Sequence, residues 1–180
     1  NDLRVDIVRF YAEPERSRCS QSRQSISETQ AGVVLCKQRD FAGAVQRFNT
    51  AIELDRQHVC PYGYRSGAYS MLGDFAKAIA DGERVVEMKG DVTAYSNLAY
   101  VQIQGGRYEA ALQSASKAVE LDGRYTDPWM QRGIAAARLG DFRRAKHDLD
   151  AAIARDAGRS DCYLVRGQIL AEMGRYHEAL

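Results

Sequence analysis

Through most of the chain, apolar residues recur every three or four positions in stretches of 12 to 14 residues, broken by short polar turns. That spacing puts the apolar side chains on one face of an α-helix and predicts a helical protein. Two such stretches are Cys60–Leu72 and Phe75–Met88, with Gly73-Asp74 between them. Pro61 and Pro128 fall in the first turn of a predicted helix, where a missing N–H does no harm. The first residues are ambiguous: Leu3, Val5 and Ile7 alternate like a strand, and Leu3, Ile7 and Phe10 are also spaced like a helix face. From Glu13 to Ser27 the chain is polar and serine-rich, which predicts a linker or lead-in. From about Ser25 onward the pattern predicts nine helices and the start of a tenth at Tyr176, with no strand.

The helices repeat. An aromatic stands at Phe41, Phe75, Tyr108, Phe142 and Tyr176, at intervals of 34, 33, 34 and 34. Three residues after each comes Ala44, Ala78, Ala111, Ala145 or Ala179. Two residues before four of them comes Gly73, Gly106, Gly140 or Gly174. Nine residues before each is a small residue, Gly32, Ser66, Ala99, Gly133 or Gly167. Tyr62, Tyr95, Trp129 and Tyr163 form a fifth column, and Ala51, Val85, Ala118 and Ala152 a sixth. Six columns in one register mark an internal repeat.

Each column has a physical task. Small residues let two helix backbones approach, and the aromatics fill the space beside them. The glycine ends one helix by taking the left-handed conformation cheaply. The aspartate of Gly73-Asp74-Phe75 and Gly140-Asp141-Phe142 caps the next helix. Arg39-Asp40-Phe41 keeps the cap without the glycine.

These residues resemble the tetratricopeptide repeat, a 34-residue helix–turn–helix unit, over about Ser25 to Leu180. Trp129-Met130-Gln131-Arg132-Gly133 with Leu139-Gly140-Asp141-Phe142 is among the best copies. The proline usual near the end of each repeat is replaced by Arg56, Gly90, Gly123 and Ala157, and Glu28 stands where the first repeat should have its aromatic. Both departures predict looseness, at the repeat junctions and where the first helix meets the lead-in. The resemblance implies an all-α fold, a right-handed superhelical solenoid with first helices on a concave groove and second helices on the convex back. The expected organisation is a lead-in over 1–24 and an array over 25–180, divided as 25–58, 59–91, 92–125, 126–159 and a truncated 160–180. The apolar face at the truncated end is expected to be covered by further repeats or by a partner chain.

Composition narrows the function. Lys+Arg total 25 and Asp+Glu 24, a net charge of +1, which argues against nucleic acid as the partner. No apolar run is long enough for membrane insertion. His58, His147 and His177 show no metal-ligand spacing, and there is no CxxC. No metal or other cofactor is expected. Cys19, Cys36, Cys60 and Cys162 read as thiols of a reducing compartment, and the expected location is the cytoplasm. Gln104-Gly105-Gly106-Arg107 reads as a helix terminus and not a phosphate loop. Arg143, Arg144, Lys146 and His147, followed by Asp148 and Asp150, read as a solvated, internally paired surface.

By the geometry that the resemblance implies, the groove should be lined by Tyr64, Met71, Asn97, Tyr100, Ile103, Met130, Gln131, Ile134, Arg138 and Gln168. Some relatives hold the C-terminal carboxylate of heat-shock chaperones with Lys/Arg and Asn, and Tyr64-Arg65-Ser66-Gly67-Ala68-Tyr69 looks like those co-chaperones. Only Asn97 matches that clamp. Thr29, Val33, Gly63, Gly67, Asp127 and Gln131 hold the other positions, and Asp127 would repel a carboxylate. The expected function is a non-catalytic scaffold or adaptor that binds an extended peptide or a partner helix. The alternative is the repeat arm of a larger enzyme or co-chaperone.

Overall fold

The computed structural model describes residues 23–172 and Gly174, and among them it has nine α-helices and no strand. In chain order these are α1 (Arg23–Lys37), α2 (Phe41–Leu54), α3 (Val59–Met71), α4 (Phe75–Lys89), α5 (Val92–Gln104), α6 (Tyr108–Leu121), α7 (Thr126–Arg138), α8 (Phe142–Arg155) and α9 (Ser160–Glu172). The expected start of a tenth helix at Tyr176, the ambiguous run Leu3–Tyr11, Cys19 and His177 lie outside the described residues. The polar stretch expected to be a linker through Ser27 instead enters α1 at Arg23. A serine-rich segment is compatible with a helix once its hydroxyls are satisfied, and Ser25 is fully buried with its hydroxyl bonded.

The corner inside each helical pair is built in one way. Arg39, Gly73, Gly106, Gly140 and Gly174, one per repeat, all have positive φ, between 65° and 83°. Two bonds close the turn over the end of the first helix. In the second repeat the Gly73 N–H donates to the Ser70 carbonyl (3.1 Å) and the Asp74 N–H to the Tyr69 carbonyl (2.9 Å). The next aspartate then turns its carboxylate onto the following helix. Asp40 accepts from the Gly43 N–H (2.9 Å), Asp74 from Lys77 (3.2 Å) and Asp141 from Arg144 (3.1 Å). Arg39 pays the left-handed strain that glycine avoids. Arg39→Gly is expected to stabilise the chain by about 1 kcal/mol, read as a higher denaturation midpoint; a lower midpoint would show that the Arg39 side chain contributes more than the strain costs.

The turns between repeats lack proline, and they are closed by a different device from the expected looseness. Asp55, Asp122 and Asp156 each accept a bond from the N–H two residues on, at Gln57 (2.9 Å), Arg124 (3.0 Å) and Gly158 (3.0 Å). The fifth column anchors the same turns. The Tyr62 hydroxyl donates to the Arg56 carbonyl (3.4 Å), and the Trp129 indole N–H to the Gly123 carbonyl (2.9 Å).

The chain divides into two compact units after Gly90. In the first, α1 packs on α2, α2 on α3 and α3 on α4. Its core holds Phe48 at full burial with Cys36, Ala44, Val45 and Ala68 around it. Gly32 is small for a visible reason: a Cβ there would run into the Phe48 ring. In the second unit, α5 packs on α6 and α7, α6 on α7, α7 on α8 and α8 on α9. Its core holds Leu149 at full burial with Ala136, Ala145, Val165 and Ile169. A Cβ at Gly133 would lie 3.1 Å from Leu149 and 3.2 Å from the Ala145 carbonyl.

One device was not legible in the apolar pattern. The Arg65 guanidinium forks onto the Asp81 carboxylate (2.8 and 2.6 Å) and also donates to the Asn49 side chain (2.6 Å). In the second unit Arg132 forks onto Asp148 in the same way (2.7 and 2.8 Å), and Arg166 donates to Asp150 (2.7 Å). In every case the partners are 16 residues apart, so the arginines of α3, α7 and α9 each tie a first helix to a second helix. This corrects the reading of Asp148 as part of a solvated surface. Lys146–Asp150 (3.1 Å) is a half-exposed pair, but Asp148 is 0% exposed.

Candidate interaction face

The first helices of the second unit lie side by side, and named bonds tie them together. The Ser96 hydroxyl on α5 donates to the Gln131 carbonyl oxygen on α7 (2.8 Å). The Cys162 thiol on α9 meets the Met130 sulfur on α7 (3.7 Å). At one end of the pair α7–α9, Arg159 bonds Asp127 (2.8 Å) and Asp161 (2.6 Å); at the other, Arg138 approaches Glu172 (3.6 Å). The charges on this face are therefore paired at its two ends.

Between those ends the expected residues are mostly partly exposed. Asn97, Tyr100 and Ile103 on α5 and Met130 and Ile134 on α7 are neither buried nor fully open. Met130 and Ile134 rest on the core cluster around Leu149, so their exposed edges have a rigid support. Burial raises the Tyr100 phenol above its usual range, so it stays neutral near pH 7. Arg138 and Gln168 are exposed. Gln131 is placed differently from the expectation: it is 2% exposed, and its side chain serves the α5–α7 bond. Its polarity suggested a contact residue, whereas the bond to Ser96 lets it sit inside the wall. Leu164 on α9 is 51% exposed and is the more available side chain.

Tyr64 and Met71 belong to the first unit, both on α3. The Tyr64 ring stacks on Phe48, with centroids 5.8 Å apart, and burial with the nearby Cys60 and Cys36 thiols keeps its phenol neutral. Met71 is half-buried.

Groups that might have carried chemistry are used structurally. Burial pushes the Cys36 and Cys162 thiols up to about 11, which suppresses the reactive thiolate. Cys36, Cys60 and Cys162 form no disulfide. His147 is exposed and bonds Asp148 (3.1 Å). His58 lies in the turn before α3. It is 2% exposed, and its Nδ1 lies 2.7 Å from the Ser25 hydroxyl. Among the described residues no cluster of three His, Cys, Asp or Glu side chains is placed to hold a metal ion, and no helix is long and apolar enough to cross a membrane.

Comparison with known proteins supports this architecture. Small glutamine-rich tetratricopeptide repeat-containing protein 2 of Mycosarcoma maydis is 28% identical over 101 residues, covering 56% of this chain and 28% of that protein. The Hsp70-Hsp90 organizing protein of Triticum aestivum is 24% identical over 164 residues, covering 87% of this chain and 28% of its own length. The chain thus spans under a third of these curated relatives. Among solved structures, YrrB, described as a tetratricopeptide repeat protein with an unusual peptide-binding site, superposes with a TM-score of 0.66 at 21% identity, over 87% of this chain and 81% of that one. The family profile described as tetratricopeptide repeat matches residues 68–125 and 130–180. With that match over more than half its length and the all-α helical repeat fold beneath it, the chain belongs to the tetratricopeptide repeat family.

Proposed function

We propose that the chain is a protein-interaction module, not an enzyme, and that the first-helix face of the second unit takes an extended peptide or a partner helix through apolar anchors. The observation that carries this reading is the pairing of charge on that face. Arg138 is engaged by Glu172, and Arg159 by Asp127 and Asp161, while Tyr100, Ile103, Met130, Ile134 and Leu164 keep accessible apolar surface. Aromatic rings and methionine are adaptable contact residues. Among the described residues of this face, both guanidinium groups, Arg138 and Arg159, already have carboxylate partners and are not left to fork an acidic tail. The Tyr64–Met71 patch of the first unit is a second contact surface of similar character. The titratable groups whose burial would suit catalysis, His58 and Asp148, are spent on bonds between helices. The likeness to co-chaperone organisers fits this class of function, with the partner differing from a chaperone carboxylate.

The test is calorimetric titration of a 12-residue peptide selected by phage display against the chain. Tyr100→Ala is expected to weaken binding by about 2 kcal/mol, as for an aromatic anchor inside an interface. Raising the salt concentration is expected to change little, because salt screens exposed charges and leaves apolar contacts alone. Affinity that collapses in salt while ignoring Tyr100 would move the binding surface elsewhere.

A further inference from the structure

We propose that His58 is an acid-sensitive latch that holds the first helix, α1, onto the rest of the first unit. The latch is a three-part contact in the buried junction. The Ser25 hydroxyl on α1 donates to the Ala51 carbonyl in the last turn of α2 (2.9 Å), and His58 Nδ1, in the turn before α3, sits 2.7 Å from the same oxygen. Ser25 has one proton, and it goes to Ala51. The short contact to His58 is therefore made by an Nδ1–H donating to the serine oxygen, which leaves Nε2 as the site that takes up a proton. Ser25 is 0% exposed and His58 2%, so an added charge on the ring would be generated away from water.

Burial holds the His58 imidazole below its usual range, opposed in part by Asp55. Of the titratable groups on the surrounding elements, Glu28 on α1 pairs with Arg47 on α2 (3.2 Å), Asp55 and Arg56 lie in the turn, and Cys60 begins α3. Among the described residues, Asp55 is the charge that acts on the ring. Because the folded pKa is depressed, the undocked state binds more protons below the ordinary histidine value. Docking is then at full strength above about pH 6.5 and weakens as the pH falls toward the folded value. Release of α1 would lift Gly32 from the Phe48 ring and open the core of the first unit.

Hydrogen exchange of the full chain between about pH 7.5 and 5.5, corrected for intrinsic rates, tests this. The expected result is a several-fold loss of protection across 23–37, with α7 unchanged. His58→Asn retains an amide donor on the Nδ1 side without titrating, and is expected to abolish the pH dependence of α1. Ser25→Ala is expected to lower α1 protection at every pH. If His58→Asn already undocks α1 at neutral pH, the wild-type imidazole followed by NMR decides. Its titration midpoint must lie below about pH 6.5, at the pH where the loss of α1 protection levels off, and a midpoint elsewhere overturns the latch, as does an unchanged pH slope in a docked His58→Asn variant.

Discussion

Arg132→Met is expected to destabilise the second unit by about 3–5 kcal/mol, toward the lower end of that range. The reason is what remains behind. Asp148 is 0% exposed, and the Arg132 fork at 2.7 and 2.8 Å is what offsets the cost of burying its charge. Removing the arginine leaves the carboxylate in place without its main partner. Two exposed neighbours soften the loss, since His147 lies 3.1 Å and Arg144 3.9 Å from it. Trp129, the single tryptophan, carries the Arg132 guanidinium over its ring at 4.6 Å, so its fluorescence follows this unit during denaturation. Removing both charges in Arg132→Met with Asp148→Leu should restore much of the stability, because a well-packed apolar pair escapes the desolvation cost. A single variant as stable as the wild type would show that Asp148 is solvated in solution.

Phe48→Ala is expected to cost about 3–5 kcal/mol in the first unit, through lost burial and the cavity left behind. Phe48 is fully buried, lies under Gly32 and supports the stacked Tyr64 ring. The complementary variant adds volume. Gly32→Ala should also destabilise, since the new methyl meets the ring, and combining it with Phe48→Leu should be milder than the sum of the two changes. Repeat units unfold with limited mutual cooperativity, so exchange protection of α1 to α3 is the proper measure. Additive costs in the combined variant would show that the two side chains do not meet.

The two variants probe different parts of what the chain encodes. Gly32 stands in a column visible in the sequence, but Phe48, the side chain it faces on the second helix, belongs to none of the six columns. The same register placed the left-handed corners at Gly73, Gly106 and Gly140 and the caps at Asp74 and Asp141, because these depend on backbone geometry within a few residues. Helix number and order followed from the same local rules. The candidate face was legible as far as the helix period allows. Tyr100, Ile103, Met130 and Ile134 keep some exposure.

What the tertiary structure alone decided is which polar residues are inside. Asp148 and Asp150 differ by two positions on one helix, yet Asp148 is buried under Arg132 while Asp150 remains half-exposed beside Arg166. Gln131 reads as a contact residue until Ser96, on another helix, engages it. His58 reads as a turn residue until Ser25, at the other end of the same repeat, lies against it. The 16-residue spacing of arginine and acid was present in the chain as a signal, but it acquires meaning only when two helices are brought side by side. An apolar side chain gains from burial against almost any apolar neighbour, so its placement can be read from period alone. A polar group is stable inside only with a particular partner at hydrogen-bond distance, and that partner is supplied by the fold.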